Sequence, residues 1–292
     1  MAVVERTASS AGADTRACLG GRRRVQTVGR YLLLTLICVV FAFPFYWVVL
    51  TSLETPEHVF DFPPHLLPML HGESYATAWS LAPWGQYFVN TCGIALSTTL
   101  LVLVTSTLAG YALGTMEFLG KRVITALLLS TLIMPAVVAI IPDYVIAKDI
   151  GWLNTYWVQI IPWGASTFGI FLMANFLRGL PVDLFEAARL DGCSRLRYLR
   201  SVAVPLASPA LLTVSVYTFL GSWNSLIWPL VMTNDTAVQP IEVGLTTFQE
   251  GNGNDWTDLA AATVFTTLPV MVLFLLVQRF FVEGVARTGL KG

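Results

Sequence analysis

The sequence predicts an all-α protein that crosses a membrane several times. Charged residues make up 12% of its 292 residues, about half of the roughly 25% usual in soluble domains. Hydrophobic residues make up 55%, and the mean hydropathy is +0.67. A soluble fold of this length needs far more charge to cover its surface. These values exclude a disordered chain, a collagen-like repeat and a disulfide-rich secreted module, and they favour a polytopic membrane protein.

Six apolar stretches supply the predicted transmembrane helices, because a bilayer core takes about 20 predominantly apolar residues per helix. The first two contain no charged residue, whereas prolines lie inside or near the start of the other four. The fourth and fifth also carry Ser, Thr, Asn and Trp, which spans tolerate where they face protein or a water-filled path. The six predicted spans are 31–53, 88–116, 123–147, 158–177, 206–232 and 259–281.

The segment before the first span is basic and polar. Arginines precede the apolar stretch as in a signal peptide, but the stretch is longer than the core of a signal. Moreover, Phe43-Pro44-Phe45-Tyr46-Trp47 stands where a cleavage site needs small residues. We therefore expect a retained first span, a disordered cytoplasmic tail over 1–30 and a second cytoplasmic tail over 282–292.

The Lys and Arg residues lie almost entirely on one side of the predicted membrane. Six spans put both termini on the same side. Sixteen of the seventeen basic residues fall on that side, fifteen in the tails or in the two loops and Arg279 at the end of the sixth span; Lys148 is the exception. Because short cytoplasmic loops are enriched in Lys and Arg, we expect a multi-pass protein of the cytoplasmic membrane with both termini in the cytoplasm.

The predicted cytoplasmic loop 178–205 has a pattern of its own. Pro181 suits a first helical turn, Asp183 and Glu186 favour the positive end of a helix, and Gly192 suits a left-handed helix end. Composition alone is equally typical of an ordinary basic interfacial loop. The large Leu184 and Phe185 beside small residues instead indicate a docking surface, where a partner's backbone approaches closely and a pocket accepts the large side chains.

This loop resembles the EAA loop of permease subunits of binding-protein-dependent ABC importers. That pattern is Glu-Ala-Ala, three residues, Gly, nine residues, then two aliphatic residues around one position and Pro. Here it is matched by Glu186-Ala187-Ala188, Gly192, and Val202-Ala203-Val204-Pro205. Asp191 before Gly192, the Trp223-Asn224 segment and the Lys-Gly ending resemble the carbohydrate-uptake branch with subunits of the MalG kind.

The resemblance implies the type I permease fold and a set of partners. These are a second permease subunit, two ATPase subunits, an extracytoplasmic substrate-binding protein and the lipid membrane, with no nucleic acid. The chain has no Gly-x-x-x-x-Gly-Lys-Ser/Thr loop, so ATP and Mg would be used by the partner ATPase and no cofactor is expected in this chain. The residues implied to couple to the ATPase are Leu184, Phe185, Glu186, Ala187, Ala188, Asp191 and Gly192.

Polar residues within the spans are candidates for the substrate pathway. They lie on the third, fourth and fifth spans, together with aromatic residues that can stack on a sugar ring: Asp143, Tyr144, Thr167, Asn175, Ser222, Trp223, Asn224 and Ser225. For Trp223 and Asn224 a role in helix packing is equally open, and for Trp228 an interfacial anchor is the simpler interpretation. His58, His65 and His71 match no zinc-ligand spacing, so no metal site is expected.

Two other classes of protein fit the composition less well. A secondary transporter explains six spans but not the Glu-Ala-Ala spacing, and no convincing internal repeat is present. An intramembrane enzyme lacks the His-Glu-x-x-His and Gly-x-Ser-x-Gly patterns. The resemblance implies a non-catalytic subunit that imports a sugar or oligosaccharide. A polyol phosphate such as glycerol 3-phosphate is the alternative, although the predicted spans contain no Lys or Arg to pair with a phosphate except Arg279, at the end of the sixth span.

Overall fold

The computed structural model describes residues 4–248 and 255–288, and within those ranges every regular element is a helix. A single π-helical turn, Leu199–Ala203, precedes α10, and a 3₁₀ turn, Thr246–Phe248, follows α13. The helices in chain order are α1 Val4–Ser52, α2 Glu73–Ser80, α3 Trp84–Thr115, α4 Lys121–Ile133, α5 Ala136–Asp149, α6 Tyr156–Ile160, α7 Thr167–Arg178, α8 Val182–Leu190, α9 Arg195–Tyr198, α10 Val204–Leu206, α11 Ser208–Trp223, α12 Ile227–Met232, α13 Ile241–Leu245 and α14 Trp256–Thr288.

Among the described residues, three helices are long and apolar enough to cross a bilayer: α1 over Gln26–Ser52, all of α3, and α14 over Trp256–Leu276. They coincide with the first, second and sixth predicted spans. Helix α1 already begins at Val4, so residues 4–30 are helical where we expected disorder. Alanines and arginines, which are good helix formers, recur through that segment.

The third predicted span is not one helix. Helices α4 and α5 meet at 106°, with the break at Met134 and Pro135, both in extended conformation. A proline disfavours helical geometry in the residue before it, which accounts for the position of the break.

The fourth and fifth predicted spans are also interrupted. Helices α6 and α7 are separated by a segment that contains Pro162 and Gly164, and α11 ends at Trp223 before α12 begins at Ile227. By length and composition the described helices include three straight spans, and up to six if each of three bent pairs forms one: α4 with α5, α7 with α8, and α9 through α10 with α11. Broken helices at membrane depth occur where the backbone lines a cavity or is covered by protein.

Helices α3 and α7 pack so closely that three glycine positions in their contact leave no room for a side chain. A Cβ atom on Gly110 would lie 2.6 Å from Met173 Cβ, and one on Gly114 would lie 2.6 Å from the Ala174 carbonyl oxygen. On α7, a Cβ on Gly169 would lie 2.5 Å from Ser106 Oγ. Small residues at crossing points are the usual means of helix association in membranes, and here they fix α7 against α3.

Two apolar clusters hold the ends of this helix pair. The Trp84 cluster joins α2, α3, α11, α13 and α14, and its largest members are Trp84, Tyr87, Trp223 and Phe248. The Tyr111 cluster joins the end of α3 to α7, the π-helical turn and the start of α11; its buried members include Tyr111, Met173, Leu177, Tyr198 and Leu199.

Candidate functional site

A cavity of about 610 Å³ lies between α3, the α6–α7 connection, α11 and α12. This volume falls within the ~300–1,000 Å³ of small-molecule sites. Its wall is mainly apolar with several hydroxyl and amide side chains, and none of the lining residues, all within the described chain, is charged. The broken helices thus produce a neutral, partly polar chamber.

Four of the eight predicted pathway residues line this cavity. Ser222, Asn224 and Ser225 reach it from the break between α11 and α12, and Thr167 reaches it from the start of α7. The hydroxyl groups of Thr167 and Thr131, which also lines the cavity, are hydrogen-bonded at 2.9 Å.

The other four predicted pathway residues lie elsewhere. Trp223 is 3% exposed and packs in the Trp84 cluster, because it is the last residue of α11 and faces α3 and α14 rather than the break. Asn175 is exposed on α7. Asp143 and Tyr144 are half-buried on α5, beyond the 106° bend, where Tyr144 packs against the group that contains Ala147 and Met232.

Sequence analysis missed several polar residues of the cavity wall, and two of them have buried polar atoms without a partner among the described residues. Gln159, on α6, is 3% exposed; its Nε2 donates to the Val238 carbonyl at 2.8 Å, while its Oε1 has no hydrogen-bond partner among the described residues. Thr98, on α3, is 2% exposed, and its Oγ1 is likewise without a partner in the described chain. Both lie inside predicted spans, so the rule that polar intramembrane residues are functional candidates applied to them as well.

Aromatic pairs form two parts of the cavity wall. The rings of Trp163 and Trp228 meet edge to face with centroids 5.4 Å apart, and those of Phe168 and Tyr217 lie 4.8 Å apart. Trp228 Nε1 donates to the Val158 carbonyl at 2.9 Å, and the residue is 7% exposed. It is therefore an internal wall residue, and its interpretation as an interfacial anchor is wrong.

The segment 233–240, between α12 and α13, lies across α3 and α6 beside the cavity. Asn90 Nδ2 donates to the Ala237 and Gln239 carbonyls at 3.0 and 2.8 Å, and Asn90 Oδ1 accepts from Tyr156 and Gln86 at 2.8 Å each. Asn90 is 2% exposed. The Asn90 amide thereby makes four hydrogen bonds, and it holds the segment at the carbonyls of Ala237 and Gln239.

The same segment closes one part of the cavity. Pro240 lines it, and the next residue, Ile241, donates its N–H to Thr91 Oγ1 at 2.8 Å. On the other side, Asn154 Oδ1 accepts from the N–H groups of Asn234 and Asp235. The segment is thus tied to the helices along its whole length.

Helix α8 contains the Glu-Ala-Ala residues, and its end has a complete Schellman geometry. Gly192 has φ +72°, Cys193 N donates to the Ala188 carbonyl at 2.9 Å, and Gly192 N donates to the Arg189 carbonyl at 3.1 Å. A left-handed residue after the helix favours glycine strongly. Gly192 thus has the left-handed conformation that the sequence analysis expected at the helix end, and Asp191 lies between the helix and this glycine.

The residues of α8 divide between an inner and an outer face. Phe185 and Ala188 pack against the Tyr111 cluster, with the Phe185 and Tyr198 ring centroids 5.2 Å apart. Phe185 and Ala188 therefore hold α8 against the rest of its own chain. The exposed surface of α8 that could dock a partner contains fewer residues than the expected set, which included both. The exposed side of α8 presents Leu184, Glu186, Ala187 and, at 89% exposure, Leu190. Sequence analysis had not selected Leu190, although three- and four-residue spacing from Ala187 and Glu186 places it on the same face.

Helix α8 does not continue the membrane span of α7. The two helices meet at 76°, and α8 carries Asp183, Glu186 and Arg189 within nine residues. Charged groups at this density are costly in a bilayer core, so we place α8 in the loop 178–205 rather than in a broken span.

Comparison with known proteins identifies the family. The family model "Binding-protein-dependent transport system inner membrane component" matches residues 17–285. The diacetylchitobiose uptake system permease protein NgcG of Streptomyces coelicolor is 30% identical over 93% of this chain and 91% of that protein. The arabinooligosaccharides transport system permease protein AraQ of Bacillus subtilis is 27% identical over 92% of this chain and 97% of that protein.

The fold also matches a solved structure. One chain in the crystal structure of a bacterial ABC transporter that imports the acidic polysaccharide alginate aligns with a TM-score of 0.77 and 23% identity, over 88% of this chain and 97% of that one. At this identity the match shows the fold. The chain belongs to the family of inner membrane components of binding-protein-dependent transport systems, and it is a non-catalytic permease subunit of an ABC importer.

Proposed function

We propose that this subunit forms half of a pathway that carries a neutral carbohydrate into the cytoplasm, with a different permease subunit as the other half. The observation that carries the proposal is the uncharged cavity, which combines hydroxyl, amide and aromatic side chains at the broken helices. Aromatic faces and hydrogen-bonding groups together suit a sugar, because a sugar ring presents both apolar C–H faces and hydroxyl groups. The relatives named for diacetylchitobiose and arabinooligosaccharides support the same class of substrate.

The cavity gives no support to the polyol phosphate alternative. A phosphate group is usually bound by Arg, Lys or helix N-termini, and no Lys or Arg lies among the described residues that line the cavity. Within the described part of this chain an anionic substrate would meet only the N-terminal end of α7, at Thr167, so full charges would have to come from the second permease subunit.

The proposed topology has six spans, both termini in the cytoplasm and the domain boundaries given by sequence analysis. Its basis is the distribution of Lys and Arg, since sixteen of seventeen fall on one side of this arrangement. In it, α4–α5, α6–α7 and α11–α12 are interrupted spans. The segments 54–86 and 233–258 then face the binding protein on the opposite side.

The ATPase subunits would dock on the outer face of α8. Leu184 and Leu190 supply apolar side chains there, Ala187 permits close approach, and Glu186 supplies an exposed carboxylate. Gly192 and Asp191 hold the end of the helix in its turn. Because Phe185 and Ala188 pack into the Tyr111 cluster, movement of α8 would be passed to α7 and α3. ATP and Mg would be bound by the ATPase subunits.

The coupling role is tested by assembling the transporter with Glu186→Ala or Leu190→Ser and reconstituting it with its binding protein. We expect sugar-stimulated ATP hydrolysis and uptake to fall at least tenfold while the permease still inserts and pairs with its partner. Glu117→Ala is the control, because Glu117 is exposed in another loop on the same proposed side. Undiminished uptake in both α8 variants would refute docking at this face.

A further inference from the structure

We infer that Gln159 and Thr98 form a hydroxyl-binding subsite within this subunit, so that the chain contacts the sugar itself and does not only support a partner that does. This inference rests on the proposed carbohydrate function. It assigns the contact to two residues on different helices, α6 and α3, that both line the cavity.

Only one of the two polar atoms of the Gln159 amide is hydrogen-bonded within the described chain. Its Nε2 is bound to the Val238 carbonyl of the segment 233–240 at 2.8 Å, which fixes the orientation of the amide plane. Its Oε1 is an acceptor that no described residue satisfies. The residue is only 3% exposed. Unpaired buried polar atoms are rare and costly, about 1–3 kcal/mol each, so this one points to an external donor.

Thr98 is the second unpaired group. Its hydroxyl has no partner in the described chain although the side chain is almost fully buried. A threonine in a helix commonly returns its hydroxyl to a preceding carbonyl, as Thr91 does to the Tyr87 carbonyl at 2.7 Å on the same helix. Thr98 lacks that bond, and a hydroxyl both donates and accepts. It therefore matches a ligand that does the same.

The two groups together specify the chemical class. Gln159 requires a donor, Thr98 takes a donor or an acceptor, no charge lies on the described wall, and Trp163 and Trp228 supply aromatic surface on the same cavity. A neutral, polyhydroxylated ring satisfies all four conditions. An ionised carboxylate or phosphate group cannot itself fill this subsite, since it has no donor for Gln159 Oε1.

The experiment measures sugar held by the assembled importer. The complete complex, with its ATPases and binding protein in lipid nanodiscs, is first screened with neutral di- and trisaccharides, beginning with diacetylchitobiose, for stimulation of ATP hydrolysis. The radiolabelled form of the sugar that stimulates it is then retained in complexes arrested with ATP and orthovanadate. We compare Thr98→Val with Thr98→Ser, and Gln159→Met with the wild type.

Two matched controls separate ligand contact from structural damage. Thr99, the next residue, is 8% exposed and also has an unpaired hydroxyl, but it does not line the cavity, so Thr99→Val removes the same group outside the site. Gln86 also bonds the segment 233–240, through the Ala237 carbonyl at 3.3 Å, and likewise does not line the cavity. Gln86→Met therefore reproduces loss of a bond to the segment without loss of a cavity group.

We expect retained sugar to fall about three- to tenfold in Thr98→Val and Gln159→Met, as for one neutral hydrogen bond lost. Thr98→Ser, Thr99→Val and Gln86→Met should stay within about twofold of the wild type. Equal losses in Thr98→Val and Thr99→Val, or wild-type retention in both cavity variants, would overturn the subsite while leaving carbohydrate transport in place. If no neutral saccharide stimulates ATP hydrolysis, the proposed carbohydrate function itself fails, and the subsite fails with it.

Discussion

Replacement of Asn90 by leucine should release the segment 233–240 from the helices without disturbing the bundle. Leucine has the same branching and the same number of side-chain heavy atoms as asparagine, but it neither donates nor accepts. The change removes four hydrogen bonds of 2.8–3.0 Å at a residue that is 2% exposed.

The magnitude follows from what each partner retains. The Ala237 carbonyl keeps Gln86 and Tyr156 as donors, at 3.3 and 3.2 Å. The Gln239 carbonyl loses the one side-chain donor that the described residues give it. Counting a net ~1 kcal/mol for each of two lost donor bonds, and a further ~1 kcal/mol for the unsatisfied carbonyl, gives about 3 kcal/mol. This corresponds to about a hundredfold increase in the population of the open segment.

Hydrogen exchange on the assembled complex measures this opening directly. Peptides that cover 234–245 report it, since the Ile241 N–H is protected by Thr91 and the Ala237 N–H by Asp235. Exchange there should accelerate about a hundredfold in Asn90→Leu, when opening is fast relative to exchange, and only a few-fold in Gln86→Met. Peptides from the α3–α7 contact should be unchanged. Acceleration below about threefold in Asn90→Leu would show that these bonds do not hold the segment.

Three further predictions concern packing, a helix end and pH. Gly110→Ala should destabilise the permease by about 1–3 kcal/mol, seen as a lower midpoint of thermal unfolding, because its Cβ meets Met173; Gly93→Ala on the same helix meets nothing within 4 Å and should not. Gly192→Ala should destabilise the end of α8 by about 1–2 kcal/mol, because φ is +72° there although the space around it is open. The change should appear as faster hydrogen exchange at 191–193 and weaker ATPase stimulation, and a wild-type rate of hydrogen exchange would contradict it. Burial raises the pKa of Glu242 in the connection before α14, so its ionisation opposes folding. Glu242→Gln should therefore slow exchange of α13 at pH 7, and the difference should vanish as the pH falls through the raised pKa toward the unfolded carboxyl's ~4.3; a difference that persists at pH 4 would contradict the assignment.

The straight helices could be read from the sequence because their signal is local. An uninterrupted apolar run identifies a span wherever its neighbours lie, and α3 and the apolar part of α14 follow from such runs. The end of α8 is local in the same sense, since Gly192 after a helix-forming segment specifies the left-handed residue that the structure has.

The cavity wall could not be read in this way, because it depends on which face each residue of a broken helix presents. Trp223 and Asn224 are adjacent, yet one packs in the Trp84 cluster and the other lines the cavity, since the helix ends between them. Thr98 and Thr99 are indistinguishable by composition and differ only in the direction of the side chain. The partial burial of Phe185 and the exposure of Leu190 could not be predicted for the same reason, because both depend on where the Tyr111 cluster lies.

Helix α7 gives the proposed coupling a physical route. Its first residue, Thr167, lines the cavity, and near its other end Met173 and Leu177 belong to the Tyr111 cluster, against which Phe185 of α8 packs. Twelve helical residues span about 18 Å, so one rigid element connects the loop to the wall of the chamber. The glycine contacts leave little room for α7 to slide along α3, so in the proposed coupling a displacement of α8 would move both helices together. Thr98 on α3 and Thr167 on α7 would then shift as one wall relative to the break between α11 and α12, and the cavity would change shape without any helix unfolding.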